Sequence, residues 1–477
     1  MSGTPLGAPA SEGTLPEAGR TLTIEADAAA PLQSVGREVG TFESFQYRDF
    51  RLYWSGALVS NIGSWMQAYA LAIVVFDLRG SSFDLGLVNF LSGAPVLFLA
   101  LPAGAIADRV DRRRLLIVLQ IVLLVQAALL GALSNLGVLG RRDPVASLVW
   151  VAGLGLLGGV SMSFMAPAFQ SMMPDLVPRK LLMNGIALNS AQFQSSRLLG
   201  PLAAAGVVLL GAGMGEVFFV NAASFVFVIV ALWAIRLEHA SGPGAAPGRA
   251  HGAPPGETSW REASWQALTA GLRYAAAERT VGVLILSTAI MTICAFPYMT
   301  LLPAIVSGSL GLTGRGLSRA VAFVMAANGL GALAGALGVA SLPAAFRRDR
   351  FIPLALVALG VLLIGFALSR WLPLTLLLST LAGAALLATN SLTNTSIQSA
   401  APPYLRGRVM SLYVLSFMGM MPISSILFGT LGQAIGPARA VMVGAVLLLA
   451  WAAVLLARPA LLRSMHTAVT PRATVRG

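Results

Sequence analysis

The sequence predicts an all-α integral membrane protein with twelve transmembrane helices arranged as two six-helix pseudo-repeats. Three observations predict it. First, 56% of the 477 residues are apolar and 11% are charged, against about 25% charged in a soluble domain, and the mean hydropathy is +0.78. Second, apolar runs near the ~20 residues that a bilayer-spanning helix needs recur along the whole chain. Third, the two halves carry a weak internal likeness. This composition excludes a soluble enzyme, a nucleic-acid-binding module and a disordered chain. The formal charge of +13 arises from basic loops joining segments that are nearly free of acids, and the skew toward Arg over Lys reads as genomic base composition. The single cysteine, Cys294, lies in an apolar run and excludes a disulfide framework or a multi-cysteine metal site.

Residues 1–46 are rich in Ala, Gly, Pro, Ser, Thr and Glu and lack the pattern of a signal peptide, so a flexible tail is expected there. Apolar runs then fall at about 51–77, 84–107, 115–137, 147–172, 183–210 and 216–236, forming an N-terminal bundle over 47–236. A linker over 237–279 follows. Its 240–258 stretch is Pro/Gly/Ala-rich, and Trp265, Leu268, Leu272 and Ala275 then fall at helical spacing beside Arg261, Arg273 and Arg279. That pattern suits an amphipathic helix on the membrane surface or a solvated linker helix. Six more runs, at about 280–306, 318–342, 351–369, 372–398, 408–433 and 438–460, give a C-terminal bundle over 280–460 and leave a tail at 461–477.

The self-likeness is local. Gln170-Ser171 is followed by Pro174 and the basic pair Arg179-Lys180; Gln398-Ser399 is followed by Pro402, Arg406 and Arg408. Each block closes one apolar run and opens the next. Two parallel repeats with a site at their interface form a transporter plan. Orientation follows from the 32 Lys and Arg residues: with both ends inside, about 24 fall in cytoplasmic regions and seven in outer loops. Both termini are therefore expected in the cytoplasm of a bacterium, across its inner membrane.

The strongest local signal is Gly104 to Leu116, GAIADRVDRRRLL, between the second and third runs. Gly104 admits close helix approach, and Asp108 lies four residues before Arg112, within pairing reach if the second helix continues. With Gly104, Asp108, Arg109, Arg112 and Arg113 in place, the segment resembles the signature loop of the major facilitator superfamily, although Asp111 stands where that pattern has Gly. The resemblance implies a twelve-helix facilitator fold and a cytoplasmic gate in which Asp108 faces the eleventh helix. The opening from Phe50 to Ser82, the ADRVDRRR form, the turn Leu176–Pro178 and Arg197–Pro201 (RLLGP) are similar to the macrolide-efflux and enterobactin-exporter branch. That likeness covers most of 47–460.

The fifth run holds Ser196–Gly206, which resembles a degraded facilitator antiporter motif; Gly200 and Pro201 would bend the helix and permit tight packing. A packing kink and an antiport role both fit. No Asp or Glu falls mid-helix, His239, His251 and His466 lie in loops or tails, and the Arg that many proton-linked drug exporters carry in the fourth helix is missing. Proton coupling therefore has no visible carrier. Arg197 is the one ionisable residue deep in a run, where a charge normally marks function. Its expected partners are backbone carbonyls, Asn and Gln groups, cavity water, or an anionic or phenolic solute; structural and substrate roles stay open.

Uncharged polar residues supply the remaining cavity candidates: Asn61 and Trp65 in the first run, Asn189 and Gln192 in the fifth, Asn328 in the eighth, and Asn390 with Asn394 in the tenth. Helix-to-helix hydrogen bonding is the alternative for each. Phe296, Tyr298, Tyr413, Phe417, Met418 and Met421 offer adaptable aromatic and thioether surface. The reading is a secondary active transporter, an exporter of a lipophilic or amphipathic small molecule working by rocking halves. Import, a non-drug metabolite, and a non-transporting sensor or scaffold stay open. The expected partners are a small-molecule solute and the lipid bilayer. A coupling ion is left open, and a monomer with no cofactor, no metal and no nucleic acid is expected. No magnesium-binding acid cluster, metal set or serine-centred motif supports an enzyme.

Overall fold

A computed structural model describes residues 40–107, 110–236, 269, 271–343, 346–402 and 405–462. Among them every regular element is helical. The chain runs α1 (Arg48–Arg79), α2 (Ser82–Ala107), α3 (Arg112–Asn135), α4 (Pro144–Leu176), α5 (Leu182–Leu209) and α6 (Met214–Ala234). Next come α7, built from Arg279–Ala295, Pro297–Thr300 and Leu302–Leu310, then α8 (Gly314–Ala340), α9 (Arg348–Leu368) and α10 (Leu372–Ala400). The last are α11, built from Arg406–Val414 and Met420–Ile435, and α12 (Pro437–Ala457). The twelve apolar runs match these helices in order.

Eleven of the twelve are long and apolar enough to cross a membrane; α5 is not among them. At 28 residues α5 has the length. Asn189, Gln192, Gln194 and Arg197 within it lower its hydropathy, so burial against other helices must replace lipid contact.

Helix ends follow local chemistry. Asp111 caps α3 by accepting the Arg114 amide at 2.8 Å, and Asp143 caps α4 by accepting the Ala146 amide at 3.0 Å ahead of Pro144. Gly80 closes α1 in the left-handed region at φ 65°. Two helices are interrupted where the sequence predicts single runs. In α7, Pro297 and Pro303 lack the amide protons an unbroken helix would use, and the chain turns at Phe296 and Leu301. In α11 a π-helical turn, Leu415–Gly419, separates the two pieces.

α1 packs on α5 and α6, α2 on α4, and α3 on α4 and α6; α8 packs on α10, and α9 on α10 and α12, which also meets α7. Two seams join these sets, α2 against the second piece of α11 and α5 against α8. Large apolar side chains such as Trp233, Phe227 and Leu447 stay exposed on the outside, as lipid-facing surface should. The helical residues 271–277 before α7 do not lie free. The Tyr274 hydroxyl donates to the Ala400 carbonyl at 3.4 Å, and a Cβ at Gly271 would stand 2.9 Å from the Arg408 carbonyl oxygen. Leu272 is exposed and Ala275 buried. The remainder of the expected amphipathic segment, including Trp265 and Leu268, lies outside the described residues, as do the 240–258 stretch, residues 1–39 and residues 463–477.

Candidate functional site

A cavity of about 390 Å³ lies among α1 to α8. It lies beside the break in α7: Phe296, Met299, Thr300, Leu302 and Pro303 all line it. Irregular backbone at membrane depth is tolerated where it lines a cavity. Most of the wall is apolar, supplied by residues such as Leu85, Val88, Met162, Phe225 and Val321.

Across one wall runs a ladder of amides. Asn221 Nδ2 donates to Gln67 Oε1 at 2.8 Å, Gln67 Nε2 to Gln126 Oε1 at 3.1 Å, and Gln126 Nε2 to the Leu154 carbonyl at 3.1 Å. Asn221 and Gln126 are buried. α6, α1, α3 and α4 are thus tied through side chains that satisfy one another, as buried polar groups must. α1 comes close enough to α6 for this because Gly63 faces Ser224 and Asn221, where a Cβ would collide.

Arg197 is the only charged side chain among the described residues lining the cavity. One of its terminal nitrogens donates to Asn328 Oδ1 at 2.8 Å, across the α5–α8 seam. Its Cζ lies 5.5 Å from the centroid of the Trp65 ring, within cation–π range. Its buried Nε has no hydrogen-bond partner. Asn328 in turn donates to the Tyr298 hydroxyl and, at 3.3 Å, to the Ser379 carbonyl. The ion pairs Arg48–Asp49, Arg79–Asp84, Arg112–Asp175, Arg141–Asp77 and Arg347–Asp349 all lie at helix ends. None reaches Arg197. A second hollow, about 440 Å³, sits where α1 ends and α8 begins; its Arg141 pairs with Asp77 and its Arg79 with Asp84, so its charges are already matched.

Of the residues singled out in the sequence, Trp65 and Arg197 line the cavity, with Phe296 from the aromatic set. Asn328 supports Arg197 from behind. Asn189 accepts from the Tyr53 hydroxyl at 3.4 Å, Asn390 accepts from the Tyr413 hydroxyl, and Asn394 accepts from Gln398 at 2.8 Å. These three stand outside the lining, as do Asn61, half-buried on α1, and Gln192, buried with an unpartnered Oε1. Gly200 sets the α1–α5 distance, since a Cβ there would collide with Trp65, and α5 continues as one helix through Pro201. Gln67, Gln126, Asn221 and Ser92 are lining residues that the sequence reading passed over.

At the basic end, Asp108 and Arg109 lie outside the described residues, and Gly104 lies within α2. α2 is described to Ala107 and α3 opens at Arg112, so Asp108 and Arg112 share no described helix. Arg112 pairs with Asp175 at 3.5 Å, joining the start of α3 to the end of α4. Burial pushes the Asp175 carboxyl above the usual carboxylate range, and the Arg112 charge works against that shift. Arg113 donates to the Trp233 carbonyl in the last turn of α6.

A family profile described as Transmembrane secretion effector, of the major facilitator superfamily, matches residues 39–475. The chain is 27% identical over 393 residues to the multidrug efflux pump Tap of Mycolicibacterium fortuitum, covering 80% of this chain and 88% of that one. It is 30% identical over 161 residues to the staphyloferrin A transporter of Staphylococcus aureus, covering 33% and 38%. In fold it resembles a bacterial homolog of the human lysosomal transporter Spinster, in an inward-facing and occupied conformation. That match has a TM-score of 0.61 and 15% identity, and it covers 88% of this chain and 97% of that chain. Family and neighbours are transporters, not enzymes. The protein is a member of the transmembrane secretion effector family, a multi-pass transporter of the major facilitator superfamily.

Proposed function

We propose that the protein is a secondary active exporter of lipophilic or amphipathic small molecules, with the 390 Å³ cavity as its transport site. That cavity is the observation that carries the reading: it is largely apolar, touches both sets of helices and sits at a broken helix. The 27% identity to an efflux pump over most of the chain supports the export direction. In this reading 47–236 and 280–460 move as two halves in the bacterial inner membrane, as a monomer with both termini cytoplasmic. Gly104, Asp108, Arg109, Arg112 and Arg113 form the cytoplasmic gate, and the Arg112–Asp175 pair and the Arg113 bond to α6 brace its α3 side.

Accumulation of a fluorescent lipophilic dye in cells that lack or express the chain tests the direction. Export predicts lower accumulation on expression, reversed when the membrane is de-energised. Higher accumulation would make the protein an importer, and equal accumulation for a panel of dyes would remove the transport reading.

A further inference from the structure

We propose that the cavity selects solutes with a negatively charged head, a carboxylate or phenolate on an apolar body, and disfavours lipophilic cations. The inference rests on reading the cavity as the transport site. Among the described lining residues the sum of formal charges is that of Arg197 alone, with no Asp, Glu, His or Lys facing it. An arginine offers five N–H donors and stays protonated. The protein supplies Asn328 Oδ1 to one of them and leaves Nε without an acceptor. The Trp65 ring answers part of the charge with its face, and a ring accepts no strong hydrogen bond. Ser92 Oγ, also in the lining, is a second buried group without a partner.

A charge left in that condition is retained only if something meets it. A solute carboxylate supplies both the opposite charge and up to two acceptors in the geometry that a guanidinium fork matches. In the largely apolar cavity a cation would meet a like charge with no acidic side chain in the described lining to offset it. The apolar wall from Leu85, Val88, Met162 and Phe225 holds the body of the solute, so discrimination falls on its head.

The test uses three probes with one apolar body: pyrenebutyrate, pyrenebutanol and pyrenebutyl-trimethylammonium. Binding is measured on the full-length protein in phosphatidylcholine nanodiscs, with empty nanodiscs subtracted. The wild type should bind the carboxylate about tenfold or more tighter than the ammonium, with the alcohol between them. Arg197→Gln should bring the carboxylate-to-alcohol ratio close to unity, and Arg197→Lys should keep the order of the three. The wild-type comparison needs no variant to fold: ammonium binding equal to or tighter than carboxylate binding overturns the proposal, and so does undetectable carboxylate binding. An unchanged ratio in folded Arg197→Gln overturns it too. Ala68→Trp, which fills the cavity from α1, separates the two levels. If it weakens all three probes while discrimination is absent, only the charge inference fails. If it leaves all three unchanged, the transport-site reading fails as well.

Discussion

The two seams that join the halves are built on one device and carry different cargo. At the α2–α11 seam, Gly429 faces Gly86, so that a Cβ on the former would stand 2.8 Å from the Cα of the latter. At the α5–α8 seam, a Cβ on Gly329 would stand 2.7 Å from the Leu198 amide nitrogen. Both let backbones approach through glycine. At the first, Gln433 Oε1 accepts the Ser82 amide at 3.1 Å, and the buried Asp84 beside it is paired with Arg79 at 3.4 Å. The second buries a guanidinium and answers it with one neutral amide. Close approach alone therefore does not define a seam's role: the α5–α8 seam places a charge with no acidic partner at the cavity, where Asn328 and the Trp65 ring meet it in part.

The sharpest way to break this contrast is Asn328→Leu. It removes the acceptor from Arg197, a hydrogen bond to a charged group being worth about 1.5–3 kcal/mol, and it also removes the Asn328 bonds to Tyr298 and Ser379. Thermal unfolding of the purified protein should show the largest loss of any single substitution proposed for the seams. A loss below about 1 kcal/mol would mean that water already meets the guanidinium and that the seams are electrostatically alike. Next in size is Gly429→Val, which forces side-chain volume against the backbone of α2 and should cost about 1–3 kcal/mol. Gly153→Ala is its control, because a Cβ there meets nothing within 4 Å. Equal effects of the two would show that the α2–α11 seam is looser than its backbone distances imply.

Smaller effects sharpen the comparison. Gln433→Ala takes the acceptor from the Ser82 amide and should cost about 1 kcal/mol, read by the same unfolding assay. A value near zero would leave glycine packing as the whole of that seam. Asp175, away from both seams, gives the smallest effect, and it is pH-dependent. Burial raises its carboxyl, so the folded state holds that proton more firmly than the unfolded chain. Its contribution to stability is then present at low pH and fades as pH rises through its raised value. Asp175→Asn should match the wild type near pH ~3 and gain relative to it toward neutrality. The opposite slope would mean that pairing with Arg112 outweighs burial.

The order of helices, and most of their ends, were legible because periodicity, caps and prolines act locally. The α4 start is written in Asp143-Pro144. The α7 interruption was present as Pro297 and Pro303, yet a run of apolar residues hides a break that only the cavity beside it makes tolerable. Arg197 stood out because a lone charge in an apolar run is conspicuous. Gln67, Gln126 and Asn221 did not, because each finds its partner on another helix, and nothing local in the sequence shows which helices meet. Asn189, Asn390 and Asn394 drew attention by type, but they bond to Tyr53, Tyr413 and Gln398, outside the cavity lining. A sequence shows which residues are polar; which of them share a space depends on how the helices rotate against one another.

The central claim is that solute passes through the cavity walled by α1 to α8. Transport of a lipophilic dye by energised inverted vesicles, at matched protein levels, tests it most directly. Two tryptophan substitutions are compared, Ala68→Trp in the lining and Leu447→Trp on the exposed face of α12. The account predicts that Ala68→Trp abolishes uptake into the vesicles and that Leu447→Trp leaves it at the wild-type rate. Uptake at the wild-type rate with an indole in the cavity would contradict it.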